Sequence, residues 1–234
     1  MAADTLAFFR ELPKNFKEIG SVIPSSRMLA ASLARPIERA AGNKPLRILE
    51  VGPGTGPITR RILKLMTPSD TLVVCELNEN FIKQLQIRLD KNKYFIRNRE
   101  RVTFHHGPVQ DFRGRGLERS FDAIVSSVPF SNMTAELVHD ILSLYRELLT
   151  DEGSLTFVEY AGIRRIGSLL QNDAEKERIR QVDDVVKQWK ENWAEHGSVE
   201  RDFTFMNVPP AFTIEFNHRV PESSPTIRKR VGNW

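Results

Sequence analysis

The chain has 234 residues, of which 40% are hydrophobic, so it is long enough for one generous domain, or one domain with extensions, around a buried core. Its single cysteine, Cys75, excludes an internal disulfide and fits a reducing cytosol. No apolar run approaches the ~20 residues that span a bilayer, and we expect no signal peptide. The net charge of +4 permits an anionic partner, either nucleic acid or a membrane surface, without requiring one.

The N-terminal segment, residues 4–20, is predicted to be an amphipathic helix in which phenylalanines are interleaved with cations. This pattern is typical of a helix lying in a membrane interface, and also of a helix packed on a core. Pro13 is expected to kink or split it. A second helix is predicted to begin at Ser25 or Ser26, either of which can cap it, and to end at residues 42–45.

From residue 46 onward, predicted strands and helices alternate along the chain. The strands are short and almost continuously apolar, which favours a parallel sheet covered by helices on both faces. The predicted strands are residues 46–51, 71–76, 102–105, 121–126 and 155–160, and the helices between them are residues 58–66, 79–90 and 135–149.

The C-terminal third of the chain has a different pattern. Residues 171–196 are predicted to form a long charged helix whose apolar stripe faces the core. Residues 203–208 and 212–217 follow as a predicted β-hairpin, and the polar end of the chain is expected to be loose. The stripe of the helix consists of Val182, Val185, Val186, Trp189 and Trp193.

Three glycines follow the first predicted strand at every second position: Gly52, Gly54 and Gly56. Such a turn between a strand and a helix lets backbone amides approach a ligand at the carboxyl end of the strand. Glu76 ends the second strand, twenty residues beyond Gly56, where a carboxylate can accept both hydroxyls of a ribose. NAD-binding proteins share this geometry, and a glycine-rich turn without a ligand is the plainer alternative.

The spacing of the glycines is G-x-G-x-G, and Glu50 lies two residues before the first of them. The chain here resembles the class I S-adenosylmethionine-dependent methyltransferases, whose first motif is E/D-x-G-x-G-x-G. The resemblance implies a Rossmann-like α/β fold, with a mostly parallel seven-stranded sheet, a C-terminal antiparallel hairpin and an N-terminal helical extension. It implies S-adenosylmethionine as cofactor and S-adenosylhomocysteine as product. The implied cofactor-binding residues are Glu50, Gly52, Gly54, Gly56, Glu76, Leu77, Val109, Gln110, Asp111 and Ser126.

Within that set, Asp111 follows the third strand, where an acidic residue of the family meets the adenine amino group. An ordinary turn carboxylate is the alternative for this position. After the fourth strand, Ser127 to Phe130 resembles the apolar-Pro-aromatic loop of amino-methylating members. The rRNA adenine dimethyltransferases carry Asn and Tyr at the positions of Ser127 and Phe130. Because the serine side chain is shorter than asparagine, it would hold a flipped adenine less firmly, so methylation of rRNA adenine is the alternative function.

A broader resemblance is to the bacterial phospholipid N-methyltransferases, which convert phosphatidylethanolamine stepwise toward phosphatidylcholine. It rests on four segments that occur in matching order. They are residues 20–27 (GSVIPSSR), residues 127–132 (SVPFSN), Glu159-Tyr160 with Gly162, and residues 207–211 (NVPPA).

Methyl transfer to such a lipid requires a neutral amine, because the ammonium form has no lone pair and is repelled by the sulfonium. Desolvation and oxygen acceptors favour and orient the neutral amine. The predicted catalytic residues are Tyr160, Ser127 and Asn132, although Tyr160 fits equally as a rim residue of the core. The predicted substrate-binding residues are Ser127, Val128, Pro129, Phe130, Arg27, Tyr160 and Arg164, with Arg165 as a further phosphate contact; solvated surface is the alternative for each arginine.

The predicted organisation is an N-terminal helical part (1–45), a methyltransferase domain (46–218) and a polar tail (219–234). The expected partners are a phospholipid substrate and an anionic membrane surface, with no nucleic acid, and the expected state is a monomer. The expected location is the cytoplasm, at the inner face of the cytoplasmic membrane. The five histidines lack metal-ligand spacing, so no metal is expected. A domain that binds nucleotide or membrane without turnover is the non-enzymatic alternative.

Overall fold

The computed structural model describes residues 26–160, 173–195, 197–207 and 210–217. The predicted helix at residues 4–20, Arg164, Arg165 and the polar tail lie outside these residues. The helices are α1 (Arg27–Leu33), α2 (Arg35–Ala40), α3 (Pro57–Leu65), α4 (Glu79–Leu89), α5 (Lys93–Asn98), α6 (Ala135–Leu148) and α7 (Asp173–Ala194). The strands are β1 (Arg47–Val51), β2 (Thr71–Glu76), β3 (Val102–His106), β4 (Phe121–Ser126), β5 (Leu149–Tyr160), β6 (Ser198–Thr204) and β7 (Ala211–Asn217).

The seven strands form one sheet in the order β3-β2-β1-β4-β5-β7-β6. Strands β1 to β5 are parallel, and β7 runs antiparallel to both β5 and β6. The order reverses between β1 and β4, and open α/β sheets bind ligands beyond the carboxyl ends of the strands at such a point. The predicted fold class is therefore confirmed.

Helices cover both faces of the sheet, which is why its central strands are apolar nearly throughout. One core lies under α6 and α7 and includes the fully buried Tyr145 and Phe157. The other core lies under α1 to α5 and includes Ile48 and Leu85. The apolar stripe of α7 faces the first core, as predicted, with Trp193 only 3% exposed.

Helices α1 and α2 pack directly on the sheet. The hydroxyl of Ser26 caps α1 by accepting the amide of Leu29 at 3.1 Å. The carbonyl of Leu33, at the other end of α1, accepts the hydroxyl of Thr156 at 2.8 Å. The amide of Ser26 donates to Asn207, which follows the end of β6, whereas Leu33 lies beside the middle of β5. Helix α1 therefore runs along one face of the sheet, starting near the carboxyl ends of the parallel strands.

Several predicted boundaries are wrong. The first hairpin strand is Ser198–Thr204, not 203–208, because alternating charges hide this edge strand in the sequence. The long helix ends at Ala194, before Gly197, where a Cβ would lie 2.1 Å from the carbonyl oxygen of Asn217. Strand β5 starts at Leu149, not 155, and helix α5 was not predicted.

Candidate functional site

The glycine turn after β1 adopts a backbone that favours glycine. Gly52, Gly54 and Gly56 have φ values of +73°, +53° and +86°. A Cβ on Gly56 would lie 2.3 Å from the side chain of Leu85 on α4. The amide of Gly52 donates to the carbonyl of Cys75 at 2.9 Å, which fixes the turn to the end of β2.

The carboxylate of Glu76 lies beside this turn and is 8% exposed. One oxygen accepts the amide of Asn78 at 2.9 Å, and the other accepts the amide of Gly54 at 3.4 Å. Burial raises the pKa of this carboxyl group, and these backbone amides act in the opposite direction. The backbone amides hold the carboxylate in one orientation, at the end of β2, in which it can accept further hydroxyl donors.

Glu50 is almost completely buried at the end of β1. The hydroxyl of Thr59 donates to its Oε1 at 3.1 Å, whereas Oε2 has no hydrogen-bond partner among the described residues. Burial raises the pKa of Glu50 to about 8, and Glu76 contributes in the same direction. An unpartnered buried carboxylate oxygen beside a glycine turn favours the binding of a cationic or donor group.

The segment after β3 places Val109, Gln110 and Asp111 in one short 3-10 turn on the same edge of the sheet. Asp111 Oδ2 lies 2.9 Å from His105 Nε2, a contact that the sequence did not indicate. Gln110 donates to the carboxylate of Asp140 at 3.3 Å. Leu77, the remaining predicted cofactor residue of this edge, directly follows Glu76 and is partly buried.

The loop after β4 touches the glycine turn. The hydroxyl of Ser127 donates to the carbonyl of Gly52, and the amide of Ser127 donates to Val51 at 3.0 Å. A Cβ on Gly52 would lie 3.2 Å from the side chain of Val128. The two motifs that were singled out in the sequence therefore meet at one point, where β1 and β4 end.

Ser126, the last residue of β4, is hydrogen-bonded to a tyrosine of α6, the helix that follows this loop. Tyr145 on α6 donates its hydroxyl to Ser126 Oγ at 3.0 Å, and Ser126 Oγ lies 3.4 Å from the amide of Val128. The sequence analysis missed Tyr145, although it lies four residues after Ile141 and so on the same buried face of α6.

A small cleft of about 50 Å³ adjoins this loop, between the end of β5 and α7. Pro129, Phe130 and Tyr160 line one side of it, and Val182 and Val186 line the other. The ring of Phe130 packs 5.3 Å from the ring of Phe157, which fixes its orientation. Burial raises the pKa of the Tyr160 hydroxyl, so this group is neutral at physiological pH.

Two predicted residues lie apart from the others. Asn132 does not line this cleft; its Oδ1 accepts the hydroxyl of Ser131 at 3.4 Å. Arg27 begins α1 and is exposed.

Two cations of α7 that the sequence analysis missed position this region. Arg178 donates to the carbonyls of Ser131 and Met133 at 2.7 and 2.8 Å. Lys190 pairs with Glu159, the neighbour of Tyr160. Arg178 lies four residues before Val182, so the apolar stripe of α7 already placed it on the face toward the sheet.

The comparisons agree with this geometry. Residues 48–153 match a methyltransferase domain family. An ornithine lipid N-methyltransferase of Singulisphaera acidiphila is 31% identical over 156 residues, which are 63% of this chain and 74% of that protein. The chain belongs to the class I S-adenosylmethionine-dependent methyltransferases.

Two further proteins are similar to this methyltransferase, one over part of its sequence and one in its fold. A malonyl-[acyl-carrier protein] O-methyltransferase of Bacillus cereus is 32% identical over 120 residues, 51% of this chain and 39% of that protein. The solved structure of an O-methyltransferase from Bacillus cereus with S-adenosylhomocysteine has a TM-score of 0.59 and 14% identity. It covers 82% of this chain and 81% of that one, and at this identity it shows the fold.

S-adenosylmethionine is the cofactor of this methyltransferase, and the residues present fit it. The oriented carboxylate of Glu76 suits the two ribose hydroxyls. The unpartnered oxygen of Glu50 suits a polar or cationic group beside the glycine turn. No atom lies within 4 Å of the position that a Cβ would take on Gly54, so the turn leaves open space for a ligand there.

Proposed function

We propose that this methyltransferase methylates the amine of a membrane phospholipid, namely phosphatidylethanolamine and its mono- and dimethyl forms, toward phosphatidylcholine. The observation that supports it most is the similarity to the ornithine lipid N-methyltransferase, whose name assigns methylation at nitrogen of a lipid. The N-methyltransferase-like loop Ser127 to Asn132 adds support, because it adjoins both the glycine turn and the cleft at Tyr160.

The binding of the cofactor falls to the β1–β3 side of the sheet. Glu76 would hold the ribose hydroxyls, Asp111 the adenine amino group, and Glu50 the polar end beside the turn. When bound, S-adenosylmethionine supplies an electrophilic methyl group on a sulfonium. The loop from Ser126 to Val128 would close the space between this side and the acceptor.

The orientation of the amine falls to Ser127 and its neighbours. The proton of the Ser127 hydroxyl is already donated to Gly52, so the hydroxyl oxygen is left as an acceptor for an N–H of the amine. The rings of Phe130 and Tyr160 would exclude water, which favours the neutral amine over the ammonium. The neutral nitrogen would then have its lone pair free for the methyl group that the cofactor supplies, and the ammonium so formed would pass one N–H proton to water.

A lipid acceptor requires contact with a membrane. No helix in the described part of the chain has the length and apolarity to cross a bilayer. We propose a monomer that associates peripherally with the inner face of the cytoplasmic membrane, with Arg27, Arg164 and Arg165 near headgroup phosphates. In this proposal the segment 4–20 lies in the interface.

The test is methyl transfer from labelled S-adenosylmethionine to vesicles of phosphatidylethanolamine, with ornithine lipid vesicles and rRNA as parallel acceptors. We expect label in phosphatidylethanolamine, and Ser127→Ala should lower its turnover about tenfold without weakening cofactor binding. Label in ornithine lipid alone would show that ornithine lipid, and not phosphatidylethanolamine, is the substrate. Label in rRNA alone would show that the protein is an RNA methyltransferase. Cofactor binding in calorimetry without turnover on any acceptor would favour the non-enzymatic alternative.

A further inference from the structure

Three large apolar side chains are exposed together at the end of β6. Phe203, Phe205 and Met206, called the apolar tip below, are 50%, 66% and 62% exposed. Among the described residues only three other large hydrophobic side chains are comparably exposed: Met28, Ile87 and Ile96. A concentration of exposed apolar surface within four residues indicates a contact with something other than water.

The apolar tip lies on the same edge of the sheet as the site. Thr204, the last residue of β6, pairs with Ala211, and Ala211 pairs with Tyr160 at the end of β5. With strands ~4.8 Å apart, the end of β6 is about 10 Å from Tyr160 along the sheet edge. A flat surface touching the apolar tip would therefore also approach the opening of the cleft.

The backbone around the apolar tip is firmly held. Asn207 is 3% exposed, and its Oδ1 accepts the amide of Ser26 at 2.8 Å, which joins the tip to the start of α1. The ring of Phe203 packs 4.7 Å from the ring of Phe212 on β7. Because Asn207 is buried and bonded and Phe203 packs on Phe212, the exposure of Phe205 and Met206 is a feature of the folded chain.

The charges beside the apolar tip favour an anionic surface. Arg27 directly follows Ser26, and no carboxylate pairs with it among the described residues. Met28, the next residue, is 47% exposed. The nearby carboxylate of Asp202 is already bonded by Arg35 and by the hydroxyl of Ser32, so it does not oppose phosphates. Exposed aromatic and thioether side chains beside an exposed cation are typical of the interface of a lipid bilayer.

We propose that the apolar tip inserts into the headgroup and acyl boundary of a lipid bilayer, with Arg27 at the phosphates. The carboxyl edge of the sheet then faces the membrane, and a lipid headgroup reaches the cleft at Tyr160 without leaving the bilayer. The inference deepens the proposed function and rests on it for the lipid nature of the acceptor. It adds a membrane contact that is independent of the segment 4–20.

The test compares two double variants of the full chain in sedimentation with mixed vesicles of phosphatidylethanolamine and phosphatidylglycerol. F205S/M206S should weaken vesicle binding about tenfold or more, because two large apolar side chains lose their burial in lipid. I87S/I96S is the matched control, since it removes two equally exposed side chains from α4 and α5, far from this edge. It should bind vesicles like the unaltered protein, and both variants should retain cofactor affinity in calorimetry.

A second measurement separates this inference from the proposed function. On short-chain phosphatidylethanolamine dissolved as monomers, F205S/M206S should be as active as the unaltered protein, while its activity on vesicles falls. Loss of vesicle binding in a protein that methylates no lipid would overturn the function but support the membrane contact. Unchanged vesicle binding by F205S/M206S would overturn the inference. The inference would also be overturned if light scattering showed that this variant loses only self-association, because the apolar tip would then join two copies of the chain.

Discussion

The proposed site has a cofactor side, around the glycine turn, and an acceptor side, around the cleft at Tyr160. The residues that hydrogen-bond to each other are close in sequence on the cofactor side and far apart on the acceptor side. On the cofactor side, Thr59 bonds Glu50 over 9 positions and Gly54 bonds Glu76 over 22. On the acceptor side, Arg178 bonds the carbonyl of Ser131 over 47 positions, and Asn207 bonds Ser26 over 181. The cofactor side is thus a property of one strand-turn-helix unit and its neighbour, whereas the acceptor side exists only in the assembled fold.

In the proposed function, this difference separates the part that the domain shares with its relatives from the part that would bind the acceptor. The matched domain, residues 48–153, contains the whole cofactor side but ends before Tyr160, α7 and the apolar tip. Selection for a new acceptor can therefore change α7 and the hairpin without disturbing the cofactor turn. Variants on the two sides should separate cofactor binding from acceptor turnover.

The largest effect is expected on the cofactor side, from Glu76→Ala. The change removes an oriented carboxylate, and each charge-assisted hydrogen bond that it makes contributes about 1.5–3 kcal/mol. Cofactor affinity in calorimetry should fall on the order of 100-fold. Glu79→Ala, three residues later on the exposed surface of α4, is the control and should bind normally. Retained affinity in Glu76→Ala would remove this residue from the site.

A smaller effect is expected on stability from Gly56→Ala. Gly56 and Gly114 both have positive φ values, +86° and +70°, so alanine is strained at each by about 1–2 kcal/mol. Only at Gly56 would the new Cβ meet Leu85, whereas nothing lies within 4 Å at Gly114. Gly56→Ala should therefore be about 1–3 kcal/mol less stable than Gly114→Ala in denaturant unfolding. Equal stabilities would show that the side chain of Leu85 moves away at no cost.

On the acceptor side, Arg178→Met should lower turnover several-fold while cofactor affinity stays unchanged. The methionine retains most of the apolar volume but loses the two bonds to the carbonyls of Ser131 and Met133, so the loop is less well positioned. Arg180→Met is the control, because Arg180 is exposed and bonds only Glu177 among the described residues. A parallel loss of cofactor affinity would mean that α7 supports both sides of the site.

The same difference explains how much the sequence could predict. The order of strands and helices, the glycine turn and the placement of Glu50 and Glu76 follow from local patterns, and the fold confirms the class. The bonds of Tyr145, Arg178 and Lys190 join segments far apart in sequence, so no local pattern indicates their partners. Strand β6 was misplaced because its charged residues resemble a loop, while the apolar tip beyond it resembles a strand.

The smallest effect on cofactor affinity is a pH dependence that arises at Glu50. Burial raises the pKa of this carboxyl group from 4.5 to about 8 in the unliganded protein, so the folded chain holds a proton there that the unfolded chain releases. Stability of the unliganded protein should therefore fall as pH rises from about 4.5 to about 8.

A positively charged ligand favours the carboxylate form of Glu50, so cofactor binding should release a proton, and the affinity should rise several-fold between pH 6 and 8. Calorimetry in buffers with different ionisation enthalpies measures that proton, and Glu50→Gln should abolish both its release and the pH dependence. If Glu50→Gln keeps the dependence, the proton comes from another group, with Glu76 the first candidate, since burial raises its pKa as well.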